Sequence, residues 1–159
     1  MATKTFPAGK VILGAGVLAI VGGFLLKNVL APGEKVRIER TIRSLAKALE
    51  NRDTETLIAA LDKDFVLDDD LGRTFSHDEV SGLIHGYAAY YRGVSIHFGT
   101  MKIDVFSTRA AARFFTTTRW RAPYSNSGTH SGEWQADFIK RRREWKLSRF
   151  KVLGEGLYE

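Results

Sequence analysis

An apolar run near the start of the chain, Val11–Leu26, limits what this sequence can fold into more than any other feature. The run carries no charged side chain and is flanked by Lys10 and Lys27. As an α-helix it would span about 24 Å, a little less than the ~30 Å hydrocarbon layer of a bilayer. Lysines at the ends can extend their charged groups to the membrane surface. The run therefore predicts one transmembrane helix within residues 1–31, followed by a single domain over residues 32–159.

Two alternatives to a permanent anchor have to be weighed, a cleaved secretory signal and a buried core helix. A basic tail before an apolar run is also the layout of a signal peptide. However, the small-residue position Ala31 is followed directly by Pro32, an unfavourable context for cleavage. A run without a polar face also fits a membrane span better than a core helix. We therefore expect an uncleaved anchor, in which three small residues share one helix face suited to close packing, namely Ala15, Ala19 and Gly23.

The charges around this run leave its orientation open. More basic residues follow the run than precede it, which favours a cytoplasmic domain under the positive-inside rule. The signal-like layout favours a domain outside the cytoplasm, and we prefer that reading because Glu34 and Glu39 are interleaved with the basic residues after the run. The sequence thus predicts a single-pass membrane protein. The membrane becomes an expected partner, and the basic turn at 140–143 makes its anionic lipid headgroups a further candidate.

Composition excludes several classes of function. The chain has 159 residues, of which 44% are hydrophobic, enough for one core beyond the anchor. It contains no cysteine, which rules out disulfides, thiol nucleophiles and thiolate metal ligands. The net charge is +6, and half of it comes from Lys4, Lys10 and Lys27, so the domain is too weakly basic to indicate a nucleic-acid partner. No phosphate loop, dinucleotide motif or metal-ligand spacing is present, so we expect neither a cofactor nor a metal.

Hydrophobic periodicity predicts three helices in the first half of the domain. Residues 34–50 repeat apolar side chains with a period near 3.6, as an amphipathic helix requires. Asp53 is placed to cap a short second helix. Ser76 followed by Glu79 predicts a capping box at the start of a third helix. A short strand is expected at 65–67, between the second and third helices.

From Val94 onward the pattern changes to alternation, which is typical of antiparallel strands with one buried face. Gly99 interrupts the alternation and predicts a bulge. About four long strands follow one another, and the last two are joined by a basic turn at 140–143. Helices followed by a run of strands indicate an α+β fold.

Two stretches resemble the nuclear transport factor 2-like superfamily, particularly its SnoaL-like branch. In ALENRDTETLIAALDKDFVLDD a helix breaks at a polar turn, restarts and leads to Asp-Phe-Val before an acidic loop. In GEWQADFIKRRREWKLSRF two tryptophan strands flank a charged turn, although Arg142-Arg143-Glu144 replaces the customary Asp-Gly. The resemblance covers about 34–153. It implies a cone-shaped half-barrel whose pocket lies between the helices and a concave sheet, in a superfamily that includes isomerases, dehydratases and non-enzymatic assembly domains.

Catalysis on such a scaffold would need a general base in the pocket and a donor that stabilises developing negative charge. The candidates for these roles are Asp68, Asp69, His85 and Tyr87, each of which also has a plain structural explanation. The predicted inner faces of the strands carry no acid, so no catalytic pair can be assembled from the alternation. Aromatic residues are the candidates for lining the pocket, namely Tyr87, Tyr91, Trp120, Trp134 and Trp145. We favour the interpretation that aromatic side chains fill it.

The anchor and the missing catalytic set favour a membrane-tethered, non-enzymatic binding or assembly module. It would dock on a partner protein or a second copy through its sheet or cone. The residues expected at such an interface are Arg113, Phe115, Arg119, Arg141, Arg142 and Arg143. A solvated hairpin turn that protects a sheet edge is the simpler explanation of the three arginines at 141–143. The alternative function is a membrane-attached isomerase or dehydratase, or a binder of hydrophobic small molecules.

Overall fold

The computed structural model describes residues 33–121 and 127–155, in which three helices precede four long strands. The helices are α1 (Glu34–Asn51), α2 (Thr54–Ala59) and α3 (His77–Tyr90). The strands are β1 (Leu61–Asp68), β2 (Thr74–Ser76), β3 (Arg92–Phe106), β4 (Arg109–Arg121), β5 (Ser127–Arg141) and β6 (Glu144–Glu155).

The predicted membrane anchor, Val11–Leu26, lies outside the described residues, and so does its proposed packing face of Ala15, Ala19 and Gly23. Among the helices that the structure describes, none is both long enough and apolar enough to cross a bilayer. The anchor therefore stays a prediction from the sequence.

One curved sheet of six strands forms the concave side of the fold, in the order β2-β1-β6-β5-β4-β3. Strands β3 to β6 form the predicted antiparallel meander, in which Phe114 lies opposite Trp134 and Trp134 opposite Val152. The register of β3 against β4 shifts between Phe98 and Met101, which confirms the bulge predicted at Gly99. Such bulges bend a strand and increase its twist, so the sheet can wrap around the helices.

The first strand differs from the sequence-based expectation. Alternation predicts only a short strand at 65–67, whereas β1 runs from Leu61 to Asp68 and pairs with both β2 and β6. Its pairing with β6 is parallel, with Leu67 opposite Phe150. A parallel neighbour requires a long crossover connection. Because no local pattern reports a pairing between strands so far apart in the chain, the sequence could not reveal this one.

The helices close the concave side of the sheet. The amphipathic pattern of α1 is confirmed, since Ile38 and Ile42 are buried in the core. Val36, which shares that pattern, is nevertheless 42% exposed, because it lies in the first turn of the helix. Asp53 caps α2 as predicted, its carboxylate accepting a bond from the Thr56 N–H at 3.0 Å.

Two hydrogen bonds fix the end of α1 beside the remaining elements. The Glu50 carboxylate accepts a bond from the backbone N–H of Ile96 on β3, at 2.7 Å. Arg52, in the left-handed backbone conformation that breaks the helix, donates to the carbonyl of Ala88 on α3 at 3.3 Å. The C-terminal ends of α1 and α3 are thus both held at the same end of β3.

Candidate functional site

A cavity of about 630 Å³ lies between the three helices and the concave face of the sheet. Its wall is almost entirely apolar, with Leu45 and Leu49 from α1, Leu83 from α3 and Phe114 from β4 among its residues. The volume falls within the range of about 300–1,000 Å³ that is typical of small-molecule pockets. The aromatic content of the sequence favours a filled core, but the structure shows open space.

Four of the five aromatic residues proposed for the pocket line this cavity: Tyr87, Tyr91, Trp120 and Trp134. The Tyr87 and Tyr91 rings lie 5.1 Å apart, and Tyr91 meets Trp120 edge to face at 6.3 Å. Trp134 stacks on Phe150 at 5.5 Å. The fifth, Trp145, is buried in the core outside the cavity, with the Lys140 ammonium 5.4 Å from its ring. Trp145 follows the turn between β5 and β6, too far along the sheet to reach the pocket.

Gly128 makes room for one part of this aromatic wall. A Cβ atom at position 128 would lie 2.4 Å from Cζ2 of Trp120. That separation is far inside any van der Waals contact, so a larger residue would displace the indole ring. The glycine on β5 therefore allows Trp120 on β4 to lie flat against its neighbouring strand.

Tyr87 supplies an unused polar group to the apolar wall. Its hydroxyl oxygen is buried and has no hydrogen-bond partner among the described residues. Burial, together with smaller effects of the neighbouring Tyr91 and the Glu50 carboxylate, raises the pKa of Tyr87 to about 12. The hydroxyl therefore keeps its proton at neutral pH and can act as a hydrogen-bond donor but not as a base. Leaving such a group unpaired costs about 1–3 kcal/mol, which a bound acceptor would recover.

A second polar group on the wall, His130, was missed by sequence reasoning. His130 faces the cavity from β5, and its ring lies 5.8 Å from that of Trp134. The Trp134 indole N–H is already used, since it donates to the Thr116 hydroxyl at 2.8 Å. His130 is an even-numbered residue of β5, like Trp134 and Ala136. The same alternation that placed those residues inside could have identified it.

The carboxylates proposed as general bases are all held by other groups. Asp69 reaches the cavity wall, but it accepts bonds from the N–H of Leu71 at 3.0 Å, the N–H of Arg73 at 2.8 Å and Nε of Arg73 at 2.6 Å. Burial acts to raise the pKa of Asp69, yet these bonds lower it overall. The carboxylate therefore stabilises a turn and stays ionised. His85 is exposed on α3, away from the cavity.

Asp68 lies on the opposite face of β1 from the cavity. It accepts bonds from the Thr74 hydroxyl at 2.9 Å and from Nε of Arg149 at 2.7 Å. The sequence pattern indicates no acid on the inner faces of the strands and does not predict the burial of Asp68, at 9% exposure, or of Asp62, at 4%. Each acid is paired with an arginine of a distant strand, which makes burial tolerable.

Asp62 explains one of the arginines assigned to an interface. Arg141 donates to both carboxylate oxygens of Asp62, from Nε at 2.7 Å and from a terminal nitrogen at 3.1 Å. Arg141 therefore links the end of β5 to β1, which is a structural role and not the interface role expected from the sequence. Arg142 and Arg143 are exposed in the hairpin turn, where Arg142 adopts a left-handed conformation with φ of 58°.

The remaining interface candidates lie on the outer face of β4, opposite the cavity. Arg113 and Arg119 are exposed, and Phe115 between them is half-buried. Nε of Arg113 lies 3.4 Å from the Glu133 carboxylate on the neighbouring strand. In the part of the chain that the structure describes, no group of three or more His, Asp or Glu residues is placed to hold a metal ion.

No protein-family model and no curated protein matches this sequence. Solved structures do match over most of the chain. A protein from Novosphingobium aromaticivorans, described as a candidate scytalone dehydratase, shares 22% identity with a TM-score of 0.73, covering 82% of this chain and 87% of that one. A candidate dehydratase of the NTF2-like family from Streptomyces avermitilis shares 13% identity with a TM-score of 0.67, over 73% of this chain and 92% of that one.

A third match is the association domain of the calmodulin-dependent kinase CaMKII from C. elegans. It shares 15% identity with a TM-score of 0.62, covering 75% of this chain and 94% of that one. Identities this low establish a common fold and no common activity. The α+β layout, the curved six-stranded sheet and the three helices are those of the NTF2-like and SnoaL-like proteins, as the resemblance in the sequence implied.

Proposed function

We propose that this domain binds an apolar small molecule in the cavity between its helices and sheet. The open space of about 630 Å³, walled by aliphatic and aromatic side chains, is the observation that supports the proposal. Pockets of this kind bury most of a ligand's surface, and a few polar groups fix its orientation. Tyr87 and His130 supply such groups here. The apolar run at Val11–Leu26 supports a membrane setting, where compounds of this class concentrate.

Binding is better supported than catalysis. An isomerase or dehydratase requires a base that is free to take a proton. Asp69, the carboxylate on the cavity wall, is fully engaged by its own loop, and Tyr87 holds its proton tightly. Dehydratases occur among the structural neighbours, but the likeness to them reaches only the fold.

A cavity-filling substitution tests this proposal. Ala46 lies on α1 and lines the cavity, so Ala46→Trp places an indole in the ligand's space. We expect the full chain to bind an uncharged fluorescent probe, N-phenyl-1-naphthylamine, at one saturable site. In the variant the affinity should fall at least tenfold, measured by probe fluorescence.

The matched control is Ala89→Trp, which adds the same side chain to an exposed position on α3. This variant should keep the affinity of the unsubstituted chain and a similar unfolding temperature. Probe uptake that never saturates, or equal binding by both variants, would show that the cavity is not the site.

Assembly through the sheet is a second candidate function. The outer face of β4 supports this function. There two exposed arginines, Arg113 and Arg119, flank the half-buried ring of Phe115. Association domains also occur among the structural neighbours. This outer face is distinct from the cavity, so assembly and ligand binding are compatible.

A further inference from the structure

We propose that the cavity selects an uncharged ligand with one acceptor oxygen, a ketone or a similar carbonyl compound, which accepts a hydrogen bond from Tyr87. A carboxylate of the same carbon skeleton is rejected. This inference rests on the proposed function, because it specifies the chemistry of the compound that the cavity binds.

The first step concerns the unused donor. The Tyr87 hydroxyl oxygen is buried and lacks a partner among the described residues, while its ring lines the cavity beside Tyr91. A buried hydroxyl is normally satisfied by a hydrogen bond. A hydrocarbon would leave it unpaired, whereas a ligand carbonyl oxygen could accept a hydrogen bond from it. The donor therefore favours ligands that carry an acceptor.

The second step concerns the charge that the acceptor can carry. None of the described residues lining the cavity is a lysine or an arginine. Asp69, the acidic residue on the wall, forms an ion pair with Arg73 of the same loop. Nε of Arg73 lies 2.6 Å from the Asp69 carboxylate. A carboxylate ligand would thus be buried without a lysine or arginine to pair with, which proteins strongly disfavour.

Glu50 adds a further bias against anions. Its carboxylate bonds the backbone N–H of Ile96, a residue of the cavity wall, and its charge acts on the Tyr87 hydroxyl. A ligand carboxylate that accepts the hydrogen bond from Tyr87 would be repelled by the charge of Glu50. A neutral carbonyl oxygen meets no such repulsion.

Three probes with one ring system separate these effects: 2-acetylnaphthalene, 2-naphthoate and 2-ethylnaphthalene. They present a ketone, a carboxylate and no acceptor, and all can be titrated into the full chain by tryptophan fluorescence. The three titrations are made in the same buffer at one pH. We expect the ketone to bind at least tenfold more tightly than the naphthoate. In Glu50→Gln, the glutamine amide oxygen can still accept the bond from the Ile96 N–H. The ratio of the ketone affinity to the naphthoate affinity should fall several-fold in this variant.

Tyr87→Phe removes only the hydroxyl. The affinity for 2-acetylnaphthalene should fall about fivefold, as expected for one neutral hydrogen bond, while 2-ethylnaphthalene binds no more weakly. Tyr90→Phe is the matched control, because Tyr90 is half-exposed on the same helix and does not line the cavity. It should leave both affinities unchanged.

The outcomes separate this inference from the proposed function. Naphthoate binding as tightly as the ketone, or a ketone affinity that is unchanged in Tyr87→Phe, would overturn the inference, yet saturable binding of the three probes would leave the proposed function standing. If none of the three probes binds, both fail.

Discussion

Asp62 and Asp68 make the stability of the sheet depend on two ionised carboxylates. The bonds from Arg141 lower the pKa of Asp62 below its ordinary value. Burial acts to raise the pKa of Asp68, but the bonds from Arg149 and Thr74 lower it overall. A carboxylate whose pKa is lower in the folded chain stabilises the fold above its unfolded pKa of about 3.9, and that stabilisation is lost as the pH falls through the folded value.

We therefore predict that the free energy of unfolding is steady near neutral pH and declines below about pH 4. Asp62→Asn should lower it by roughly 1.5–3 kcal/mol at pH 7, the range for a hydrogen bond to a charged group, and should flatten the acid decline. Urea unfolding at several pH values measures both effects. Asp70→Asn, at an exposed turn position, is the control, and an acid decline that is identical in Asp62→Asn would contradict the assignment.

The sequence predicts that a residue lines the cavity only where that residue follows the hydrophobic periodicity of its helix or strand. Trp120 and Trp134 follow the alternation of their strands, and Tyr87 and Tyr91 are spaced by four residues at the end of α3, where Tyr91 is the residue after the last turn. His130 obeys the same rule and was overlooked because an isolated histidine carries no motif. The pairings of Asp62 and Asp68 depend on strands far away in the chain, so no local pattern could indicate them.

At the level of elements, α3 positions the Tyr87 donor, and its start is fixed by a local signal. The Glu79 carboxylate accepts bonds from both the backbone N–H and the hydroxyl of Ser76, each at 2.7 Å. This is the capping box that the sequence predicts. Capping satisfies groups that the first turn of a helix otherwise leaves unpaired.

Ser76→Ala should lower the free energy of unfolding by about 1 kcal/mol, because the N-cap side chain is lost. We expect the unfolding temperature to fall by roughly 3–5 °C, measured by circular dichroism. Ser44→Ala, at an exposed interior position of α1, removes the same hydroxyl from a helix that does not need it as a cap. If the two variants lose equal stability, the cap does not stabilise α3.

The sequence predicts the helices and strands that have a local signal, such as a cap or a regular apolar period. It does not predict those that form only because they pair with a distant segment. The three helices and the bulge at Gly99 follow from caps, periodicity and a glycine. Strand β2 is three residues long and exists because it pairs with β1. The open cavity depends on how far the curved sheet stands from the helices, a distance that composition does not encode.

At the scale of the whole molecule, the outer sheet surface leads to a prediction about assembly. If copies associate through this face, reversing the charges of its two exposed arginines in Arg113→Glu/Arg119→Glu should weaken self-association at least tenfold. Sedimentation velocity over a range of concentrations measures this change. The matched control is Arg40→Glu/Lys47→Glu, which makes the same charge change at exposed positions of α1. A chain that stays monomeric throughout, or equal effects of the two pairs, would exclude this face.

The parallel pairing of β1 with β6 also has a consequence for synthesis. Val66 and Leu67 leave the ribosome long before Arg149 and Phe150, the residues that lie opposite them. Until the meander is complete, β1 and the helices have no sheet on which to bury their apolar sides. Long-range pairings of this kind slow folding and expose aggregation-prone surface. The nascent chain therefore exposes the apolar residues of the future cavity wall to its surroundings until β6 has been synthesised.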